Sequence, residues 1–545
     1  MKRTLREHLA YQPVELRFGT SGRRGRVVDL TQLEIWINVR GELEWLKTVP
    51  KQQGGIEPGE DVFVAADLRP SSVRFVEEQG GRGEIVQAVC AAIRDAGFTP
   101  VFQGFIPTPA LAYYGFGRRR ASIMVTGSHI PFDRNGYKLN TSAGELLKEH
   151  EAPVNEHVAR IRAAVYDEPF ERSRFDERGM LRSGHEPLPE VSPEAAGAYK
   201  RRYLDFFRGQ PLRGQRVIVY QHSAVGRDLL VEVLEALGAE AIPAGRSETF
   251  IPVDTENIGA DLLEELQRLV SEIEAARGPV AAVVSTDGDS DRPLFVSVTA
   301  GRVRFHPGDL LGMVVAQELG ADAVVVPVSC NDAIDRSALA AVLEPKTRIG
   351  SPYVIAGMQR ALAKGRKRVV GWEANGGFLT ASAIERNGAL LDALPTRDAF
   401  LPLLAVLEAA ARAGAPPAAL FDRLPRRFGR SALLRDFPRE RAMRILERLT
   451  PQASDGSDLP GILETLGRFF RAEDGFGAVE RLDSTDGLRI WFSNGDIAHL
   501  RPSGNADEFR IYAVADTQER ADAIAALGVR EPDGILRRLE RELDV

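Results

Sequence analysis

Apolar residues follow two alternating spacings along most of the chain. Short apolar and β-branched runs, such as 61–67 ("DVFVAAD"), 99–105 ("TPVFQGF") and 121–127 ("ASIMVTG"), have the length of buried strands. Longer stretches with helical spacing lie between them, and the first of these predicts a helix over about 73–96. Strands that alternate with helices in this way are typical of parallel α/β units.

The same order of elements recurs twice more, and no sequence repeat accompanies it. The strands and helices predicted in these two further series are, in chain order, 216–224, 226–239, 240–245, 259–278, 280–292, 308–321, 322–329 and 366–378. The pattern therefore predicts three α/β units of similar construction.

Two segments interrupt the alternation and indicate boundaries between units. Residues 166–193 are charged and Pro-rich, as in a linker, and residues 413–430 form a second break. Beyond it, residues 487–504 predict a β-hairpin around Asn494-Gly495, because Asn-Gly is a strong hairpin turn signal. The C-terminal part is therefore expected to be a separate α+β domain.

Composition narrows the class of protein without identifying it. The 545 residues exceed the size of one core, and a net charge of −7 argues against a general nucleic-acid binder. Cys90 and Cys330 are the only cysteines, and Cys90 is expected in a helix core. The sequence shows no signal-peptide pattern and no apolar run of membrane-spanning length. We therefore expect a soluble, cytoplasmic protein with neither a membrane nor a nucleic-acid partner.

Three acidic residues follow a strongly apolar predicted strand. Asp287, Asp289 and Asp291 alternate in "STDGDSDR", and carboxylates this close repel one another unless a cation lies among them. Their oxygens suit Mg²⁺ or Ca²⁺. An EF-hand is excluded, because Arg292 stands where that loop needs Gly and Val298 where it needs Glu. A metal site is the favoured interpretation, and a solvated acidic turn is the alternative.

Another predicted strand delivers a serine into a loop, in "IMVTGSHIPFDRNGYK" (123–138). Ser128 lacks the G-x-S-x-G elbow of hydrolases, because Thr126 and Ile130 occupy the flanking positions. Its sequence neighbour His129 is a poor candidate for the base. From these residues alone, a serine in a hydrogen-bonded turn is the simplest interpretation.

Two polar loops carry groups that suit a sugar phosphate. The segment 499–512 ("HLRPSGNADEFRIY") combines two guanidinium groups, a hydroxyl and flexible backbone, which suit a phosphate, although an ordinary polar turn is equally compatible. In "VVGWEANGGF", Glu373 and Asn375 suit neighbouring sugar hydroxyls, which is a weak signal alone. The phosphate-binding candidates are Arg501, Ser503, Gly504, Asn505 and Arg510.

A basic, glycine-rich segment near the N-terminus is a further anion-binding candidate. It reads "RFGTSGRRGRV" (17–27), and Arg69 lies beyond it in "ADLRPSS". A solvated cationic turn is equally compatible. Walker, dinucleotide-binding and H-E-x-x-H motifs are missing.

Five of these motifs, in this order, resemble the α-D-phosphohexomutase family of phosphoglucomutases and phosphomannomutases. They span nearly the whole chain and read "FGTSGRRG", "TGSHIPFDRNGYK", "STDGDSDR", "GWEANGG" and "RPSGNADEFRIY". The resemblance implies an α/β fold of four domains around a central cleft: three topologically related mixed α/β units and a C-terminal α+β domain. The predicted domains are 1–193 with the serine loop, 194–300 with the metal loop, 301–418 with the sugar loop and 419–545 with the phosphate loop.

The resemblance also implies a role for each motif. Ser128 matches the serine that passes a phosphoryl group to a hexose phosphate and so forms a bisphosphorylated sugar. Asp287, Asp289 and Asp291 match the ligands of one Mg²⁺ per active site, which the phosphoserine completes. The remaining matches are Lys138 and Arg24 in proton transfer at the sugar hydroxyl, Glu373 and Asn375 in sugar recognition, and Arg501, Ser503, Gly504, Asn505 and Arg510 at the non-transferring phosphate.

The chain departs from the usual pattern of the family at several motifs. Ile130 stands in place of an Asn, Ser290 of a Gly or Ala, Asn375 of a Ser, and Gly377 of a His that many relatives carry. Residues 248–258 ("ETFIPVDTENI") replace a His-rich segment. These differences leave the preferred hexose open.

The expected function is a Mg²⁺-dependent phosphomannomutase or phosphoglucomutase, with a hexose 1,6-bisphosphate as intermediate and activator. It is expected as a monomer or small homo-oligomer. Phosphoglucosamine mutase is a less favoured member of the same class. A phosphatase, in which water intercepts the phosphoserine, is disfavoured by the two phosphate-loop arginines. A sugar-phosphate-binding protein without catalysis is disfavoured because Ser128, Lys138 and the acidic run are intact.

Overall fold

The N-terminal unit is a five-stranded sheet covered by helices. The computed structural model describes residues 3–19, 21–256, 258–452, 457–503 and 507–543. Val62 and Val64 lie in one core whereas Phe63 and Ala65 lie in another, because successive strand side chains point to opposite faces. The elements are α1 (Leu5–His8), β1 (Arg23–Arg26), α2 (Gln32–Leu46), β2 (Asp61–Ala66), α3 (Pro70–Val73), β3 (Phe75–Val76), β4 (Arg82–Gly83), α4 (Ile85–Asp95), β5 (Thr99–Phe105), α5 (Thr108–Arg118), β6 (Ser122–Val125), β7 (Arg134–Asn140) and α6 (Glu151–Asp167).

The second and third units follow with the same alternation. The second contains α7 (Glu194–Phe206), β8 (Arg216–His222), α8 (Arg227–Ala236), β9 (Glu240–Arg246), α9 (Ala260–Arg277), β10 (Ala282–Thr286), β11 (Pro293–Thr299) and β12 (Arg302–His306). The third contains α10 (Gly308–Glu318), β13 (Ala323–Val325), α11 (Ser351–Ala363), β14 (Val369–Trp372), β15 (Phe378–Thr380), β16 (Ile384–Arg386), β17 (Ala389–Leu391), β18 (Leu394–Asp398), α12 (Phe400–Ala413) and α13 (Ala418–Phe421). One apolar core runs through parts of all three units.

The first two sheets share one spatial arrangement of strands, although the edge strand comes first along the chain in one sheet (β1) and last in the other (β12). In the first, β2 is parallel to β5 and β6, β6 is antiparallel to β7, and β1 forms the edge. In the second, β8, β9, β10, β11 and β12 take the corresponding places. The third sheet keeps the parallel pair β13 and β14 and continues with antiparallel β15 and β18. The predicted α/β fold with related units is therefore confirmed.

Three equivalent connections carry the motifs singled out from the sequence. The turn from β6 to β7 contains Ser128, the turn from β10 to β11 contains the acidic run, and the turn from β14 to β15 contains Glu373. In each case a strand with a parallel neighbour on one side turns into an antiparallel neighbour on the other. The repeated topology thus places the three loops at equivalent positions of their sheets.

The C-terminal unit is an antiparallel sheet with packed helices, as predicted for an α+β domain. It contains β19 (Phe428–Arg435), α14 (Arg439–Leu449), α15 (Leu459–Phe469), β20 (Val479–Asp483), β21 (Leu488–Phe492), β22 (Ile497–Pro502), β23 (Glu508–Ala515), α16 (Gln518–Val529) and α17 (Ile535–Glu542), and the strand order is β19-β23-β22-β21-β20. The predicted hairpin around Asn494-Gly495 is the β21–β22 pair. This unit has its own apolar core, and all of the described residues in that core belong to the unit itself.

A buried arginine joins this unit to the third one. Arg427 donates from Nε to Asp332 (2.7 Å), from Nη1 to Asp516 (2.6 Å) and from Nη2 to the carbonyl of Gly495 (2.7 Å). Its side chain is fully buried, so these contacts fix the direction in which the chain enters β19. The junction is therefore strongly polar.

The prediction of a helix over 73–96 is partly wrong. Only its second half is helical, as α4, and the first half forms the short β3–β4 hairpin. Gly80 and Gly81 have positive φ angles of 68° and 63° in the connection, a conformation that a helix does not contain. Cys90 is buried on α4, as predicted.

The segment predicted as a linker, 166–193, packs back on the first unit. Phe175 and Leu181 are buried in its core. The second sheet continues through β12, which lies past the boundary predicted at residue 300. Within the described ranges, no helix combines the length and the apolar character needed to cross a membrane.

A buried polar cluster ties the second unit to the end of β18. Asp398 accepts hydrogen bonds from the hydroxyls of Tyr199 and Tyr203, at 2.6 Å each, and from Arg202 at 3.2 Å. Burial and the nearby carboxylate raise the pKa of both tyrosines well above the usual value, so both remain donors. The cluster therefore fixes the backbone around Asp398.

We expect Asp398→Ala to lower the free energy of unfolding by about 3 kcal/mol or more, because three buried donors lose their acceptor. Urea unfolding followed by tryptophan fluorescence measures the change. Asp392→Ala, which removes the exposed acceptor of the Tyr113 hydroxyl at 2.8 Å, should cost less than about 1 kcal/mol. Equal shifts of the urea midpoint for the two variants would contradict the assignment.

Candidate active site

Ser128 is buried at the start of the β6–β7 loop, and its hydroxyl meets the acidic loop of the second unit. Its φ of 55° is left-handed, which is uncommon for a residue other than glycine and is found where the surroundings enforce it. The Ser128 Oγ donates to Asp287 Oδ2 at 2.7 Å. His129 Nδ1 lies 3.4 Å from the same Oγ, and burial together with Arg292 and Arg24 lowers the pKa of His129 well below its usual value.

Arg69 holds the serine loop through its carbonyl groups. Its guanidinium donates to the carbonyls of Ser128 (2.9 Å), Pro131 (2.8 Å), Arg134 (2.9 Å) and Ile130. A side-chain carbon at residue 127 would lie 2.6 Å from this guanidinium, which explains the glycine there. Nη1 and Nη2 of Arg69 thus donate to the loop backbone, while its Nε lies 3.3 Å from Asp67 Oδ2.

The three aspartates of the β10–β11 loop lie together, and each has an oxygen within 4.8 Å of the others. Asp287 Oδ1 accepts from the backbone N–H groups of Asp291 and Arg292, at 3.1 Å each. Lys138 Nζ donates to Asp289 Oδ2 at 2.6 Å and to Asp291 Oδ2 at 2.7 Å. All three aspartates are fully buried or nearly so.

Two oxygens of this cluster accept no hydrogen bond from the residues that the structure describes. Asp289 Oδ1 and Asp291 Oδ1 are buried and meet no donor within the described part of the chain. An unpaired buried carboxylate oxygen is costly, whereas hard divalent cations prefer such oxygens. The residues present therefore fit a divalent metal ion.

The pKa values within the cluster move in opposite directions. Burial and the negative charges of Asp289 and Asp291 raise the pKa of Asp287 well above its usual value. Burial opposes ionisation of Asp289 as well, but the charge of Lys138 and the hydrogen bonds from Lys138 and Thr108 (2.6 Å) lower its pKa. Asp287 is therefore the aspartate of this cluster whose ionisation burial and like charge oppose, although Arg292 Nε lies 3.9 Å from its Oδ2.

Arg24 is the N-terminal arginine that faces the cluster. It lies on β1 opposite Gly136, and burial lowers its pKa to about 10 although nearby Asp289 opposes this change. Its Nε has no acceptor among the described residues. Arg23 is instead paired with Glu42 at 2.7 Å, and Arg26 is exposed beside Asp29. One of the predicted arginines thus has donor capacity towards a ligand.

An arginine that the motifs did not indicate connects the sugar loop to the acidic cluster. Arg397, at the end of β18, donates to Asp291 Oδ2 at 2.9 and 3.1 Å and to Glu373 Oε2 at 3.0 Å. Asn375 Oδ1 accepts from the N–H of Gly377 at 3.0 Å. The predicted sugar loop therefore lies beside the acidic cluster.

The segment 248–258 also reaches the sugar loop. Thr255 Oγ1 donates to the carbonyl of Asn375 at 3.0 Å. Burial and Asp254 raise the pKa of its neighbour Glu256 to about 7, while the charges of Arg292 and Arg510 act the other way. This carboxyl therefore lies in the field of both the metal loop and the phosphate loop.

The phosphate-loop arginines are cross-strand neighbours. Arg501 on β22 and Arg510 on β23 are directly opposite in register, where like charges repel. Arg501 Nε donates to Asp486 at 3.0 Å, and Arg510 donates to Glu508 at 2.8 Å. The pair is suited to receive an anion between two guanidinium groups.

The rest of this loop is described in part. The N–H of Ser503 donates to the carbonyl of Glu508 at 2.9 Å, next to the arginine pair. The predictions for Gly504 and Asn505 lie outside the described residues.

The Ser290 hydroxyl explains one departure from the usual motif. It accepts from the N–H of Gly226 at 2.9 Å and lies 2.7 Å from Thr286 Oγ1, which braces the metal loop. Arg69, expected from the sequence beside an anion, binds loop carbonyls instead. The residues that the sequence analysis missed are Thr108, Thr255, Glu256 and Arg397. They come from distant segments, and their types and spacing gave no signal.

Comparisons with known proteins agree with this architecture. The family description "Phosphoglucomutase/phosphomannomutase, alpha/beta/alpha domain I" matches residues 15–164, and that of domain III matches residues 307–428. A phosphomannomutase of Sinorhizobium fredii is 37% identical over 94% of this chain and 98% of its own. One from Salmonella muenchen is 37% identical over 93% of both chains.

A solved structure has the same fold. It belongs to a phosphoglucomutase/phosphomannomutase family protein from Burkholderia thailandensis, with a TM-score of 0.65, 19% identity and coverage of 98% of both chains. The chain therefore belongs to the phosphoglucomutase/phosphomannomutase family, as the motifs indicated. Its activity class is that of a mutase, which is an isomerase.

We expect Arg69→Met to loosen the serine loop, because the carbonyls it binds lose their common donor. Amide hydrogen exchange of a peptide covering 126–134 should speed up by about tenfold or more. The exposed neighbour variant Arg74→Met should leave that rate unchanged. Equal exchange in both variants would show that Arg69 does not restrain the loop.

Proposed function

We propose that this chain interconverts hexose 1-phosphates and hexose 6-phosphates through a phosphoserine at Ser128 and a bisphosphorylated sugar. The substrates proposed are mannose and glucose phosphates. The observation that carries the proposal is the 2.7 Å contact between the Ser128 hydroxyl and Asp287 within a buried, cation-ready carboxylate cluster. A phosphoserine would also explain why Ser128 needs no hydrolase elbow, because the serine would enter the reaction as a phosphate ester that is already formed.

Phosphoryl transfer then needs little covalent chemistry from the protein. The P–O bond to Ser128 breaks, a P–O bond to the free sugar hydroxyl forms, and the hydroxyl proton leaves. Lys138, held beside the cluster by Asp289 and Asp291, is assigned to exchange that proton, and Arg24 to stabilise the transferring group. In the second half of the cycle, the other phosphate of the sugar returns to the serine.

The proposed metal is one Mg²⁺ per active site, held by Asp287, Asp289, Asp291 and an oxygen of the phosphorylated Ser128. Its chemistry would be to neutralise charge on the transferring group. Asp289 Oδ1 and Asp291 Oδ1 accept no hydrogen bond from the described residues, which supports this choice because Mg²⁺ prefers carboxylate ligands. The Lys138 ammonium keeps the other oxygens of the same residues occupied.

Two further groups of residues are assigned to the substrate. Arg501 and Arg510, with Ser503, Gly504 and Asn505, bind the phosphate that does not react, and Glu373 and Asn375 bind sugar hydroxyls. Holding one phosphate while the other reacts turns the transfer into an intramolecular step. The facing arginine pair supports a mutase over the phosphatase alternative, because a phosphatase needs no grip on a second phosphate.

The hexose itself is best identified by direct assay. Mannose, glucose and glucosamine 1-phosphates are supplied with a hexose 1,6-bisphosphate as activator. Isomerised sugar phosphate supports the mutase, and free sugar with inorganic phosphate supports the phosphatase. Turnover of only the glucosamine compound would favour phosphoglucosamine mutase.

We expect Ser128→Ala to lower isomerase turnover by at least about a thousandfold, since the phosphoryl carrier is removed. Mass spectrometry should find phosphate on the wild-type peptide containing residue 128 after incubation with the bisphosphate. The buried serine variant Ser297→Ala serves as the control and should keep its activity. Near-normal turnover of Ser128→Ala would rule out this serine as the carrier.

We expect Asp289→Asn to weaken Mg²⁺ binding by about ten- to a hundredfold, because one charged ligand is lost. Isothermal titration calorimetry of Mg²⁺ into the protein without sugar measures the affinity. Asp261→Asn, on the exposed first turn of α9, should bind Mg²⁺ like the wild type. An unchanged titration for Asp289→Asn would defeat the ligand assignment.

A further inference from the structure

Arg397 lies between the metal loop and the sugar loop and contacts both. Nε and Nη2 donate to Asp291 Oδ2 at 3.1 and 2.9 Å, and Nη1 donates to Glu373 Oε2 at 3.0 Å. The residue is only 3% exposed, so these are buried, charge-assisted contacts. The planar guanidinium thus joins two carboxylates from two different units of the fold.

The site is built around this side chain. A side-chain carbon at residue 377 would lie 2.6 Å from both Cγ and Cδ of Arg397. Glycine at 377 therefore leaves room for the arginine stem. The positive charge at this point of the site therefore comes from a side chain at the end of β18 and not from the sugar loop.

The backbone next to Arg397 is also fixed by hydrogen bonds. The next residue, Asp398, is fixed by Tyr199, Tyr203 and Arg202 from α7. The end of β18 is therefore rigid, and Arg397 does not have to be ordered by a ligand. Such preorganisation is what a group that aligns two loops requires.

We propose that Arg397 is a positioning residue that couples the metal loop to the sugar loop. It supplies positive charge to Asp291, and the same guanidinium holds Glu373 towards the sugar. This inference rests on the proposed function for the roles of the two loops.

If Arg397 couples the two loops, its removal should change metal binding and sugar binding in opposite directions. Arg397 and a metal ion would share one carboxylate, since Arg397 binds Asp291 Oδ2 and Asp291 Oδ1 accepts no hydrogen bond in the described ranges, with Arg292 Nε 3.6 Å away. Removing the guanidinium should tighten metal binding and at the same time release Glu373. A residue with a merely structural role would weaken both metal binding and sugar binding when removed.

The test uses Arg397→Met, which keeps much of the stem and loses the charge. Calorimetry with Mg²⁺ alone should show affinity on the order of tenfold tighter than in the wild type. The KM for the hexose phosphate should rise and kcat/KM should fall by about a hundredfold. Unchanged or weaker Mg²⁺ binding, or an unchanged KM, would overturn the proposal.

Arg397→Lys keeps the charge but lacks the fork that reaches both carboxylates. Its Mg²⁺ affinity should stay near the wild-type value while the KM rises, so the proposal remains testable if Arg397→Met fails to fold. The exposed ion-pair variant Arg412→Met is the control and should change neither value. A Lys variant with wild-type KM would show that the bridge to Glu373 is not needed.

A double-mutant cycle tests the contact with residue 377. Gly377→Ala alone should displace Arg397 and raise the KM, and it should add little in an Arg397→Ala background. Fully additive effects would contradict the contact. The calorimetric arm needs no turnover, so absence of isomerase activity in the wild type would refute the proposed function while leaving the coupling to the metal loop testable.

Discussion

Charge balance among three buried carboxylates is the constraint on which the rest of this site depends. Asp287, Asp289 and Asp291 are too close and too buried to stay ionised without positive partners. Besides Arg292 of the same loop, those partners are Lys138 from the first sheet and Arg397 from the third. Neutralising the cluster therefore requires the first three units to be in register, so the same interactions serve assembly and chemistry.

The repeated strand arrangement places three loops with different functional groups at equivalent positions of their sheets. Each sheet turns from a parallel pair into an antiparallel neighbour, and the connecting loop carries a hydroxyl in the first, three carboxylates in the second and the carboxylate of Glu373 in the third. The loops share a position in the fold, although they share no sequence motif. Different chemistry on a common scaffold is thus obtained by changing a few residues in equivalent turns.

The strands, the hairpin at Asn494-Gly495 and the motif loops could be predicted from the sequence, because local periodicity and turn chemistry determine them. The contacts that hold those loops could not. Arg69 binds carbonyls about sixty positions away in the chain, as the 59-residue separation from Ser128 shows, and Thr255 reaches the sugar loop across 120 residues. Long-range contacts of this kind leave no local pattern. The roles assigned to individual site residues remain predictions, whereas family membership and α/β fold are confirmed.

The last unit differs from the others in how it is attached. Its apolar core is its own, while the buried contacts of Arg427 with Asp332, Asp516 and Gly495 are polar. Energetically it is therefore a separate cooperative segment that can open without breaking the apolar core shared by the other units. Because the Arg427 side chain is fully buried, dissolved ions screen these contacts only weakly, so raising the ionic strength should not by itself detach the last unit.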